Sequence, residues 1–234
     1  MAYGKNAPFG LKPLELNYNT ATLNAYRIYA DRNNGATTYG TSIFTGDPVV
    51  WDTANGQTGF IARYVFNTDQ TANASSNTAP VVGVFMGCEY TTPDGELIKS
   101  PYWPASTHVR TGSTITALVN DYKHSVYDIQ VSTWTNALAD ARFEPGMIGK
   151  RYGFGLGGGG GNLVPNNPTN GTTFNGQSAA YLATKFTVNQ AADAATLPLR
   201  VIDYTPNVYN TIYEADGVTV RPFLNVKVIF NNHI

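Results

Sequence analysis

The stretch near the C-terminus shows a two-residue period most plainly. Leu224, Val226, Val228 and Phe230 put apolar side chains on one face, with Asn225, Lys227 and Ile229 opposite, as a half-buried strand requires. Similar short runs recur along the chain. Leu23 to Tyr29 and Thr41 to Phe44 suit strands, Gly46-Asp47-Pro48 turns the chain into Val49-Val50-Trp51, and Gly56 to Phe66 is another extended run. Pro80 to Tyr90 is almost continuously apolar, too short and too rich in glycine for a good helix, and reads as a buried strand. Pro93-Asp94-Gly95 is a turn signal leading into Glu96 to Lys99 as the return arm of a hairpin. Pro101-Tyr102-Trp103-Pro104 breaks regular structure, after which Thr114 to Val119 and Ser125 to Ser132 alternate again. Ala179 to Val188, Leu197 to Tyr204 and Phe223 to Phe230 complete the strands, with Glu214-Ala215-Asp216-Gly217 as a further hairpin turn. Helix is confined to a turn or two at Thr135 to Ala141 and Gln190 to Ala195.

Three segments depart from this pattern. Residues 1 to about 16 crowd Gly4, Pro8, Gly10 and Pro13 among the apolar Phe9, Leu11, Leu14 and Leu16, which predicts an extended arm rather than a helix or a central strand. The arm lies either on its own domain or on a neighbouring subunit. Residues 67 to 79 hold no large apolar side chain and read as a solvated loop. Residues 153 to 177, with the run Gly157 to Gly161 followed by Asn and Pro, read as a long flexible excursion. No repeat of fixed period and no clean linker is visible. The prediction is an all-β antiparallel barrel or sandwich, one domain over residues 17 to 234, with an N-terminal arm and one Gly-rich insertion at about 153 to 177.

Composition sharpens this. Charged residues are 13% of the 234, about half the usual share of ~25%, yet 42% are hydrophobic and 12% aromatic, enough to fill a core. Uncharged Asn and Thr supply the polar surface. With 15 Lys+Arg against 16 Asp+Glu and no basic cluster, the chain lacks the means to neutralise phosphates, so neither a nucleic acid nor an anionic membrane is expected as partner. So few like charges offer little protection against association, which predicts a surface covered by partner subunits. The single Cys88 excludes an internal disulfide, and MAYGKNAPFGLKPLEL has no apolar stretch of signal-peptide length, so synthesis in a reducing cytoplasm is expected. The sequons at Asn73 and Asn170 are then chance matches.

Catalytic chemistry finds little footing. His108, His124 and His233 show no ligand-pair spacing, and Cys88 lies in an apolar run where a thiol serves as a small core hydrophobe. Gly153, Gly155 and Gly158 match G-x-G-x-x-G, but more glycines and then Pro165 and Pro168 follow where a helix must open. Asp47, Asp94, Glu96 and Asp216 fall in predicted turns, where carboxylates bond local backbone. Trp51, Tyr102, Trp103 and Trp134 offer rings that suit either a sugar-stacking platform or core and interface anchors. No catalytic residue, metal or cofactor is assigned, and a binder rather than an enzyme is expected.

Four segments in order, NAPFGLKP, TSIFTGDPV, the pair PVVGVFMGCEYTTPDGE and IKSPYWPAS, and LNVKVIFNNHI, resemble a family of structural proteins of tailed bacteriophage particles, the capsid decoration or cement proteins. They cover about a quarter of the chain. The resemblance implies a homotrimer on the exterior of the phage head, made in the cytoplasm of the bacterial host and bound to the major capsid protein. The Gly157 to Gly161 run is no part of it. Phe9, Leu11, Leu14 and Leu16 become the expected capsid contacts, and Tyr102 and Trp103 the expected interface or glycan aromatics. The competing readings are a minor capsid, head-fibre or tail protein, and a carbohydrate-binding module that stacks sugars on Tyr102 and Trp103.

Overall fold

A computed structural model describes residues 9–14, 23–53, 59–66, 79–132, 145–156, 171–183, 197–205, 211–213, 220–222 and 225–233. The described residues are all-β, with only a short 3-10 turn at Pro145–Met147. Their strands are β1 (Lys12–Pro13), β2 (Asn24–Ile28), β3 (Ile43–Phe44), β4 (Pro48–Trp51), β5 (Phe60–Arg63), β6 (Gly83–Thr91), β7 (Leu97–Ser100), β8 (Tyr102–Trp103) and β9 (Ile115–Asn120). Then follow β10 (Tyr127–Ser132), β11 (Arg151–Leu156), β12 (Gly171–Thr172), β13 (Gln177–Ser178), β14 (Ala180–Ala183), β15 (Leu199–Thr205), β16 (Thr211–Tyr213), β17 (Val220–Pro222) and β18 (Asn225–Phe230).

Two sheets each close on themselves. In the first, β2, β9, β6, β4 and β5 pair in a ring, with β7 added to the free edge of β6. In the second, β10, β18, β15, β11 and β14 form the ring, and β1 is added beside β10. Closure and the two added strands together cover sheet edge that would otherwise invite strand addition.

The two rings have the same topology. Taken in chain order, the first strand pairs parallel with the third (β2–β5, β10–β14), and the four other contacts are antiparallel in both. The registers also correspond all the way round. Asn24↔Val119 matches Tyr127↔Val228, Ile28↔Ile61 matches Val131↔Leu182, Val49↔Gly83 matches Tyr152↔Leu199, and Val84↔Asn120 matches Arg200↔Ile229. Each fourth strand carries a bulge at its fourth residue, Met86 and Ile202. The turn entering each second strand is the same as well. Gly46 N–H donates to Phe85 O, Phe85 N–H to Asp47 O and Asp47 N–H to Phe44 O; Gly149, Val201 and Lys150 repeat this with Val201, Lys150 and Met147. Gly46 (φ 94°) and Gly149 (φ 82°) share the left-handed backbone that only glycine adopts at low cost.

The single domain expected over 17 to 234 is therefore a pair of like barrels. Each has its own hydrophobic cluster. Ile28, Val49, Ile61, Phe85, Ile115, Ala117 and Val119 fill the first, and Tyr127, Ile129, Val131, Phe154, Leu182, Val201, Val226 and Val228 the second. The second cluster also takes in Tyr64, Phe66, Val81 and Val84 from the first half of the chain, and Val50 and Met86 pack against it.

Two expectations need correction. The Gly-rich excursion does not begin at 153, because Arg151–Leu156 is a ring strand with Tyr152 and Phe154 buried. It also does not extend to 177, since β12 and β13 form a hairpin. Residues 157–170, including the Gly157 to Gly161 run, lie outside the described residues, as do Thr135 to Ala141, Gln190 to Ala195 and the turn Glu214 to Gly217. The Pro101–Pro104 break contains β8, which pairs with β3.

Candidate functional site

The described part of the arm lies on its own chain. Lys12↔Asp128 and Pro13↔Tyr127 pair β1 with β10, while Gly10 N–H donates to Ala180 O and Leu11 N–H to Gly46 O. Gly10 holds φ 76°, and a Cβ there would stand 2.6 Å from Gly46 O and 2.7 Å from Ser178 Cβ. This crossing of two backbones dictates glycine.

Beside the arm runs a groove of ≈ 280 Å³, lined by Phe9, Leu11 and Pro13 from the arm, Met86 at the β6 bulge, Pro101 before β8 and Gln177 of β13. Next in sequence to Gly46 of the groove lining is Asp47, fully buried. Its carboxylate accepts hydrogen bonds from Phe44 N–H (2.9 Å) and Ser178 Oγ–H, and Arg63 Nε stands 3.9 Å away. Arg63 in turn donates to Ser42 O and lies over the Phe66 ring. Burial pushes the Asp47 carboxyl up to about 6, against the opposing pull of Arg63 and the two hydrogen bonds. These bonds fasten the β3–β4 turn to β13, so this carboxylate is engaged in holding the groove together.

The expected contact residues divide. Phe9 is half-buried at the groove, and Leu14 is 37% exposed. Leu11 is a correction: at 2% exposure it belongs to the chain's own core, because the arm folds back onto β10. Leu16 lies outside the described residues. Tyr102 is half-buried and stacks on Phe44 with ring centroids 5.4 Å apart. Trp103 is another correction. It is fully buried, its Nε1–H donates to Tyr39 O, and its ring meets Tyr90 edge-on, so no face is open to a sugar.

The groove has a neighbour that the sequence reading missed. Phe174 sits 98% exposed in the turn between β12 and β13, adjoining Asn175 and Gln177 of the groove wall. The signal was an aromatic residue within turn-forming Thr-Thr-Phe-Asn-Gly. A ring held out by a hairpin suits insertion into a partner.

Cys88 is buried, and burial pushes its thiol up to about 12, far from the thiolate a nucleophile needs. His108 and His124 are exposed, and His233 packs against Phe230. Gly153 and Gly155 lie in β11 rather than in a phosphate loop. Among the described residues no group of three His, Cys, Asp or Glu is placed to hold a metal, and no helix is long and apolar enough to cross a membrane. Comparison of the chain with protein-family models, with curated proteins and with solved structures finds no match.

Proposed function

We propose that the chain is a non-enzymatic structural protein of a bacteriophage particle, a decoration or cement protein that binds the outer surface of the head and stabilises the shell. The partners under this reading are the major capsid protein and further copies of the chain in a homotrimer. The observation that carries it is the exposed Phe174 ring beside the groove lined by Phe9, on a pair of closed barrels. An exposed aromatic beside a partly apolar groove supplies the anchor that an interface is organised around. A protein so anchored across the junctions of a shell stabilises it by mass action, because the contacts must break before the shell opens.

The test is co-sedimentation with expanded, undecorated heads, after light scattering has given the mass of the free protein. Wild type is expected as a trimer that saturates the heads. Phe174→Ser is expected to keep its thermal midpoint and lose attachment. Full occupancy by Phe174→Ser removes this ring from the reading, and a wild-type protein that ignores the heads overturns the reading itself, moving the assignment to a tail or fibre component.

A further inference from the structure

The duplication allows the ends of the two barrels to be compared position by position, and one end differs sharply. In the second barrel Tyr127, Phe154 and Phe230 occupy it, at 0%, 0% and 7% exposure. It is plugged from the first half of the chain: Tyr64 and Phe66 stand over Phe154 at centroid distances of 5.2 and 6.2 Å. The registers make Asn24, Trp51 and Asp121 the corresponding residues of the first barrel. There Asn24 is exposed, Trp51 is 38% exposed and Asp121 is half-buried.

These residues converge. Trp51 lies against Tyr26 with ring centroids 5.7 Å apart. Tyr26 Oη–H donates to Asp121 Oδ2 at 2.6 Å, and Asn24 Nδ2–H reaches both Asp121 oxygens at 2.9 Å. The aromatic faces and the carboxylate are thus held within the span of one tyrosine side chain. Tyr26 is itself packed against the core of the first barrel, so the constellation stands on rigid strands rather than on a loop.

We infer that this end of the first barrel is a binding site for a neutral saccharide, with Trp51 as the stacking platform and Asp121, oriented by Tyr26 and Asn24, as the hydroxyl acceptor. A pyranose offers a C–H face to an aromatic ring and hydroxyl donors at its rim. A carboxylate has about four lone-pair positions, and those left by Tyr26 and Asn24 accept such hydroxyls. The negative charge disfavours acidic sugars. A protein plug is the wrong occupant here, because the plugged end of the second barrel is aromatic at all three positions, whereas here an amide and a carboxylate replace two of the three rings. Leaving such groups buried under an apolar plug would cost their hydration without return.

The inference stands apart from attachment to a phage head and is tested without one. The full-length protein is titrated by calorimetry with neutral oligosaccharides of β-1,4-glucose, α-1,4-glucose and β-1,4-N-acetylglucosamine, and with a sialylated oligosaccharide, each up to ~10 mM to reach weak sites. At least one neutral member is expected to bind, with affinity falling about tenfold or more in Trp51→Ala, equivalent to ~1.4 kcal/mol, and likewise in Asp121→Ala. Trp51 and Asp121 lie outside the buried cluster of the first barrel, so both variants should remain folded and unfold cooperatively; Trp51→Phe, which retains a ring, should retain most of the binding. No binding by any neutral member overturns the inference. So does binding that Trp51→Ala leaves unchanged, or a preference for the sialylated probe.

Discussion

Asp47 makes the stability of this protein depend on pH in a direction opposite to that of most carboxylates. Its folded-state carboxyl titrates at about 6 instead of 3.8 because it is buried, so between those values the folded protein holds a proton that the unfolded chain has released. Stability then falls as pH rises through that window. The contribution is fully present below pH 3.8 and lost above about 6. Roughly two pH units at ~1.36 kcal/mol each give a swing of about 3 kcal/mol. Asp47→Asn removes the titration while an amide still accepts from Phe44 N–H and donates to Ser178 Oγ. The assay is urea unfolding of both proteins at pH 4 and pH 7.5. The variant is expected to gain about 3 kcal/mol relative to wild type between the two conditions. A difference between the proteins that is the same at both pH values would refute the assignment of this burial cost to Asp47.

Trp103→Ala should cost ~3–5 kcal/mol in chemical denaturation, as removal of a fully buried ring does; a cost under 1 kcal/mol would show the ring to be peripheral. Gly10→Ala combines a left-handed backbone, worth ~1–2 kcal/mol, with collision against Gly46 O and Ser178 Cβ. It should lower stability by at least that amount and accelerate exchange of the Leu11 amide, and an unchanged exchange rate would contradict the crossing. Native-state hydrogen exchange should give β9 and β18 the same opening free energy, because Tyr64, Phe66, Val81 and Val84 from the first half are buried in the cluster of the second barrel. Clearly different values would mean that the barrels open separately.

Strand positions were largely legible because period and turn chemistry agreed. Thr114 to Val119 and Ser125 to Ser132 became β9 and β10 almost residue for residue. The Pro93-Asp94-Gly95 turn joins β6 to β7 with Gly95 at φ 93°. Where reading failed, a distant partner decided the outcome. Gly155 looked like part of a loop, yet a Cβ there would overlap the Tyr181 ring, so the glycine marks the close approach of a neighbour within a strand. Trp103 looked available between two prolines, but its burial depends on Tyr39 and Tyr90, which no local pattern connects to it. Phe174 and Trp51 are exposed for a similar reason: exposure is set by what the rest of the chain leaves uncovered.

The duplication escaped for a different reason. Asn24 corresponds to Tyr127, Ile61 to Leu182, Gly83 to Leu199 and Val119 to Val228, so the spacing between equivalents changes from strand to strand and no period exists to detect. A barrel asks of its inward positions only that they be apolar and of suitable volume; Ala117 and Val226 or Phe85 and Val201 meet that demand equally. What stays fixed is the backbone: the parallel pair, the bulge at Met86 and Ile202, and the glycine turn at Gly46 and Gly149. Side chains at the barrel ends diverge according to what meets them. Phe154 meets Tyr64 and Phe66 from the first half of the chain, while Tyr127 and Phe230 lie against each other in the same cluster. Among the described residues, Trp51 makes its ring contact with Tyr26 of its own barrel, Asn24 is exposed and Asp121 is half-buried. A difference in chemistry between equivalent positions of one scaffold therefore reports a difference in occupant, and it is this contrast, rather than any motif, that separates the structural end of the molecule from the end available to a ligand.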